Sequence, residues 1–357
     1  MIRFSQLANR KSEHYDKWAK TTLTKISLIV YIALSGFSCK LSPTEVQLES
    51  LPEDRGTILT SLIPTSFVNL IWSRNTDEII TAGQSGIQAI NVTSFVQRSV
   101  ESAGSVYYIK LFNDGNSLYY LLGNSLGGDL PLYKISVAGK SRQLLLNQVL
   151  SRFSLSSDSL IAHGVSSLGN IYLYNETSTT DTFLTRGWFP LTFSPDAKQL
   201  LYSDSSFSYF KISLENKVVQ SIPFYQEHFV GFFRWNMSGI QVIYSELGVG
   251  WFVKNITTNE TYKITGIDDG PQTFTWSSDG NKIAYWTSKC IKTSGWLGCA
   301  LSQDILHVLD VNTKKETLVA VHNVEESENF PISIAFSPNN SKIAYALGSQ
   351  IYTKNIP

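Results

Sequence analysis

The pentapeptide Gly123-Asn124-Ser125-Leu126-Gly127 matches the G-x-S-x-G string that sets a nucleophilic serine on a strained strand-to-helix turn. That chemistry needs an acid and a histidine delivered later in the chain from a large α/β sheet. β-rich runs flank this copy on both sides, so its glycines and serine fit a hairpin loop instead. The five histidines, His14, His163, His228, His307 and His322, are scattered without an H-E-x-x-H, and the three cysteines form no C-x-x-C. Metal catalysis has no ligand set, and neither a metal nor a cofactor is expected. His307 alternates with the apolar residues of a strand and is expected to point outward. Asp268-Asp269-Gly270 pairs two carboxylates as calcium sites do. One short acidic turn lacks the further oxygens that calcium requires, so a solvated turn is expected.

What the loops do carry is contact chemistry. Trp188, Phe189, His228, Asp268 and Asp269 fall in connections between strands, and Trp296 lies in a long insertion between Cys290 and Cys299. Aromatic side chains held on loops of a rigid scaffold serve as contact anchors. For Trp188 and Phe189 the competing role is to begin a strand and pack. In an oxidising compartment Cys290 and Cys299, nine apart, would close the insertion as a disulfide and lower its ordering cost. Two free buried thiols are the alternative.

The compartment is addressed by the first forty residues. Lys17, Lys20 and Lys25 precede an apolar run from Ile26 to Phe37, too short to span a bilayer comfortably and laid out as an export signal. The small Ser38 before Cys39 resembles the lipobox of bacterial lipoproteins, in which the cysteine is lipidated and becomes the new N-terminus. The expected division is a signal over 1–39 with Cys39 as lipidation site, a linker over 40–55 and one folded body over 56–357. Lys plus Arg equal Asp plus Glu at 29 each, so no global attraction to nucleic acid or acidic lipid is expected.

The folded body is positioned by a phrase that returns seven times. An aromatic or apolar residue closes a strand, a polar turn follows, and an apolar run begins seven residues on. Clear copies are Phe193-Ser194-Pro195-Asp196, Trp276-Ser277-Ser278-Asp279 and Phe336-Ser337-Pro338-Asn339, with others at Trp72, Leu111, Leu155 and Trp235. Successive starts lie 39, 44, 38, 42, 41 and 60 residues apart, and a period near forty marks four-stranded propeller blades. The second strand of most copies has an apolar residue at offset seven and tyrosine at offset nine, on one strand face. In the third copy a shorter turn is expected to put Leu160 and Ala162 in these places. The seventh copy stops at Pro357 without a fourth strand, and the spare segment Gly56–Leu62 is placed to supply it and seal the ring.

The Phe-Ser-Pro-Asp phrase followed by an apolar run ending in tyrosine resembles the repeat of TolB-like periplasmic propellers, related in style to WD-type repeats. The resemblance covers about residues 56 to 357. It implies an all-β propeller; that family usually shows six blades, and the count here is seven, with six as the alternative. The combined expectation is an exported periplasmic or cell-surface lipoprotein. It would be monomeric, membrane-associated through its lipid alone, and would bind a protein or envelope component with its loop face. It would not be an enzyme. The alternative is a propeller-type lyase or glycan hydrolase with channel carboxylates, and a third view is a purely structural module of an envelope complex.

Overall fold

In the computed structural model, the recurring turn is built by its serine. Described are residues 51–60, 69–102, 104–123, 128–165, 169–206, 208–222, 230–236, 239–246, 250–264, 273–293, 299–325, 331–347 and 350–356. The Ser194 hydroxyl donates to Asp196 Oδ1 at 2.6 Å and accepts from the Gln199 amide at 3.0 Å. Ser277 repeats this with Asp279 at 2.6 Å and the Lys282 amide at 2.8 Å, and Ser337 with Asn339 at 2.8 Å and the Lys342 amide at 2.9 Å. Each of these serines is buried, so the hydroxyl satisfies backbone that water cannot reach. Three residues after the serine position the chain enters the left-handed region, at Gly115, Ser159, Ala197, Gly239, Gly280 and Asn340.

Ala197 holds φ 55° with a Cβ, where its counterpart Gly280 holds 72° without one. Left-handed backbone costs a non-glycine residue about 1–2 kcal/mol, partly offset by glycine's larger entropy loss on folding. Ala197→Gly is therefore expected to stabilise the protein by about 0.5–1 kcal/mol, read as a higher urea midpoint at unchanged m-value.

Every regular element among the described residues is a strand, and the strands form seven antiparallel four-stranded sheets. Six blades run in chain order over residues 69–101, 106–150, 153–186, 189–221, 230–263 and 274–325. The seventh takes Pro331–Phe336, Lys342–Leu347 and Gln350–Asn355, and its outer strand is Thr57–Thr60. Thr57 pairs with Thr353, Ile58 with Tyr352 and Thr60 with Ile351, so the start and end of the array share one blade, as expected.

Apolar faces on successive blades meet in seven clusters. Ile80 and Ile87 of blade 1 pack on Ile109 and Tyr120 of blade 2. The last cluster joins Ile351 and Leu59 of blade 7 to Trp72 and Ile79 of blade 1, which closes the circle. The seven-bladed expectation holds, and the six-bladed alternative does not.

Two expectations are corrected. In blade 3, Leu155 pairs with Ile161 and Phe153 with His163, so Ile161 and His163, not Leu160 and Ala162, hold the repeat positions. A one-residue slip would turn every side chain to the other face. His163 keeps the tyrosine's role by stacking on Tyr172 with centroids 5.8 Å apart. His307 does not point outward: it stacks on Tyr285 at 5.2 Å, with Nε2 2.8 Å from Thr287 Oγ1 and Nδ1 2.6 Å from Glu316 Oε1.

The insertion of blade 6 is a prolonged hairpin. Lys282–Thr293 and Cys299–Asp310 run twelve residues each, and Glu316–Glu325 follows them outward. Residues 51–55, expected as linker, lie along this extension. Asp54 pairs with Val321 in both directions at 3.0 Å, and the Gln303 side chain bonds both backbone groups of Leu51 at 2.9 Å.

Candidate functional site

Strand a of each blade borders the axis of the closed ring: Asn69–Trp72, Val106–Leu111, Phe153–Leu155, Phe189–Phe193, Val230–Trp235, Phe274–Trp276 and Pro331–Phe336. Neighbouring inner strands are tied directly. The Leu70 amide donates to Ser333 Oγ at 3.0 Å, the Phe193 amide to Ser154 Oγ at 3.1 Å, and the Trp276 indole to the Arg234 carbonyl at 3.1 Å. Of the closing residues, Trp72, Phe193, Trp235 and Phe336 are buried between blades, and Leu111, Leu155 and Trp276 are partly buried. By the two-residue period, the residues one and three before each lie on the opposite strand face.

Those positions hold a cationic group. Lys110 and Arg234 stand one residue before Leu111 and Trp235, and Tyr108 and Arg152 three before Leu111 and Leu155. Blades 2 and 5 are as far apart as a ring of seven permits, so their inner strands face each other across the axis. Burial alone would raise the Tyr108 hydroxyl. The charges of Lys110, Arg234 and Arg152 outweigh it and hold the phenol below its ordinary pKa.

Arg234 is lowered by its enclosure, an effect the Tyr108 hydroxyl opposes and the Arg152 charge reinforces. Its side chain is nevertheless solvent-exposed, as a group surrounded by protein but facing an open axis must be. The Arg234 guanidinium lies 5.5 Å from the Phe274 ring centroid, the Lys110 ammonium 5.7 Å from that of Tyr108, and Tyr108 meets Phe153 edge-on at 5.3 Å. Among the described residues no carboxylate forms an ion pair with Lys110, Arg152 or Arg234. Nor do the described residues of the inner strands include an Asp or Glu.

Of the loop residues expected to bind, Trp188 is described, and it sits in the two-residue connection between blades 3 and 4. The residue is 40% exposed. Phe189 does begin the inner strand and meets Trp188 edge-on at 6.0 Å. Backbone holds Trp188 in place: its amide donates to the Ser203 carbonyl at 2.8 Å. Two glycines give it room. A Cβ on Gly164 would lie 2.4 Å from the Trp188 carbonyl oxygen, and one on Gly169 would lie 3.3 Å from the indole nitrogen. Arg152 occupies the equivalent two-residue connection between blades 2 and 3, on the same face of the ring.

Cys290 is disulfide-bonded, while the side chain of Cys299 falls outside the described residues together with His228, Asp268, Asp269, Trp296 and the segment containing Cys39. Gly123 follows the strand that ends at Leu122, and the rest of the G-x-S-x-G string lies outside the described residues, between two antiparallel strands. The signal for Lys110 and Arg234 in the sequence is their shared place one residue before the closing residue of a repeat, Leu111 and Trp235.

No protein-family model matches the sequence, and no curated protein matches it. Solved structures do. An oligogalacturonate lyase in complex with manganese superposes with a TM-score of 0.64 at 12% identity, over 88% of this chain and 96% of that one. A chain of the mitotic checkpoint complex does so with a TM-score of 0.57 at 16% identity, over 90% and 98%. At such identities the likeness is one of fold: the chain is a seven-bladed β-propeller of WD-like architecture.

Proposed function

We propose that this chain is an exported, lipid-anchored binding protein of the bacterial cell envelope. It engages a protein or envelope component through the ring face that carries Trp188, and does not turn its ligand over. The observation that carries this reading is the exposed Trp188 on a connection held by its backbone. An aromatic on a backbone-held connection of a closed ring has less chain entropy to lose on binding, which is a property of an interface anchor. The export signal and Cys39 supply the location.

The test is capture from detergent-solubilised envelope on the immobilised propeller. A specific partner is expected to be retained by the native ring and reduced at least about tenfold by Trp188→Ala, the loss typical of a central aromatic anchor. Equal retention by both forms would refute this face as the binding surface. Mass spectrometry of the mature N-terminus is expected to find a lipidated Cys39, and an unmodified Met1 would remove the anchor from the reading.

One observation favours a second reading, a channel lyase. A phenol whose pKa is lowered by three cations has the character of a base beside a developing carbanion next to a carboxylate. A glycan hydrolase needs two carboxylates flanking the bond, which the described inner strands do not supply. Incubation with oligogalacturonate separates the two readings: unsaturated product lost in Tyr108→Phe would replace the binding role by catalysis.

A further inference from the structure

Three cations converge on the ring axis from blades 2, 3 and 5 without a described carboxylate to pair with them. Arg234 and Arg152 are solvent-exposed, and Arg234 is oriented by the face of Phe274. Lys110 lies over the ring of Tyr108, whose hydroxyl is a further donor. The chain as a whole has 29 basic and 29 acidic residues, so this concentration is local. Like charges gathered inside a low-dielectric wall repel one another, and an enclosed axis focuses their field on whatever enters.

We propose that the axial channel is a binding site for a small oxyanion carrying at least two negative charges, held by Lys110, Arg152 and Arg234 with Tyr108 as a neutral donor. The inference rests on the reading of the ring as a binding module and gives that module a ligand class. Guanidinium groups present paired N–H donors that match the oxygens of a phosphate or a carboxylate, and charge-assisted bonds of this kind are the stronger hydrogen bonds in proteins. Entry past Arg152 places the ligand on the same ring face as Trp188. A bound anion would relieve the repulsion among the three cations, so its effect on stability exceeds what its contacts alone provide.

The experiment uses the complete chain with two probes, pyrophosphate and citrate, at an ionic strength held constant with sodium chloride. Melting temperature and calorimetric titration are the readouts. At least one probe is expected to bind saturably and raise the melting temperature, with a response to pyrophosphate identifying phosphate chemistry and a response to citrate identifying carboxylate chemistry. Arg234→Ala and Arg152→Ala are each expected to weaken binding by at least about tenfold, as loss of a charge-assisted hydrogen bond does. Lys140→Ala, an exposed lysine outside the channel, is expected to leave binding unchanged.

Without probe, Arg234→Ala is expected to melt at or above the native temperature, because a repelling charge has gone; a purely structural arginine would lower it. Overturning results are a response no larger than sodium chloride gives, saturable binding indifferent to both arginine variants, or a lower melting temperature in probe-free Arg234→Ala with no loss of binding. If Trp188-dependent capture persists while neither ion binds, this site falls and the binding module stands. If an ion binds while no partner is captured, the reverse holds.

Discussion

Deletion of residues 51–60 is expected to abolish cooperative folding of the propeller. The segment supplies the outer strand of blade 7, and Leu59 within it is 6% exposed, packed in the cluster of Leu70, Trp72, Ile79 and Ile351. Emptying that site alone costs about 2–5 kcal/mol. The Tyr345 hydroxyl, on a fully buried ring, donates to the Arg55 carbonyl, and losing that acceptor costs about 0.5–1.5 kcal/mol, because His322 Nε2 remains beside the hydroxyl. The combined loss approaches the ~5–15 kcal/mol by which whole domains are stable, and it also bares the edge of Gln350–Asn355 for intermolecular pairing.

Neighbouring point variants separate the mechanism from a general sensitivity of the strand. Leu59→Ala should lower stability by about 2–5 kcal/mol, whereas Ile58→Lys, at a residue 48% exposed, should change it by less than about 0.5 kcal/mol. Urea denaturation of the three variants checks the series, and a synthetic peptide of residues 51–60 added to the deletion should restore folding by strand addition. A deletion that unfolds at the native midpoint would show that the ring does not depend on being sealed.

The ring and its seal were legible in the sequence because the repeat carries its own structural chemistry. Phe193, Trp276 and Phe336 mark where an inner strand ends, and the serine after each must satisfy buried backbone. The strand-c partners were not recognised. Tyr120 stacks on Tyr133, Tyr202 on Phe210, Tyr244 on Phe252 and Tyr345 on Tyr352, with centroids 5.2–5.7 Å apart, and all four are direct cross-strand pairs. Their spacing from the repeat aromatic varies with the hairpin loop, so they leave no fixed offset. Blade 3 departs from the expected register by one residue because its turn is shortened by only one residue, and His163 fills the tyrosine's place that would otherwise mark the register. Trp188 was legible as a loop aromatic, but the room it occupies is left by Gly164 and Gly169, which lie elsewhere in the blade.

Asp304→Leu is expected to stabilise the protein by about 1–3 kcal/mol at neutral pH, the opposite of what loss of a buried contact usually brings. Asp304 is fully buried in blade 6, paired across strands with Ser288 and His322, and neither carboxylate oxygen meets a donor at hydrogen-bond distance. Burial raises its pKa, against a smaller opposing influence of the Ser288 hydroxyl. The folded state therefore holds the Asp304 proton more tightly than the unfolded chain. Its contribution improves as pH falls toward the ordinary carboxylate value and worsens as pH rises through the folded value.

His322 has the reverse slope. Burial, reinforced by the Arg55 charge, pulls its pKa from 6.5 down to about 4, and Nε2 lies 2.9 Å from Tyr345 Oη. As pH drops from 6.5 to about 4 the unfolded chain takes up a proton that the folded ring refuses, a loss on the order of 3 kcal/mol. In the native protein the two neighbours oppose each other, so acid destabilisation over this window should be smaller than His322 alone would give. Asp304→Asn should expose the full His322 slope, and His322→Gln should leave stability rising as pH falls. Urea midpoints of both variants and the double variant between pH 4 and 7 decide the matter. Parallel profiles for native protein and Asp304→Asn would mean that Asp304 is ionised and solvated, and that the interior of blade 6 is wetter than its packing implies.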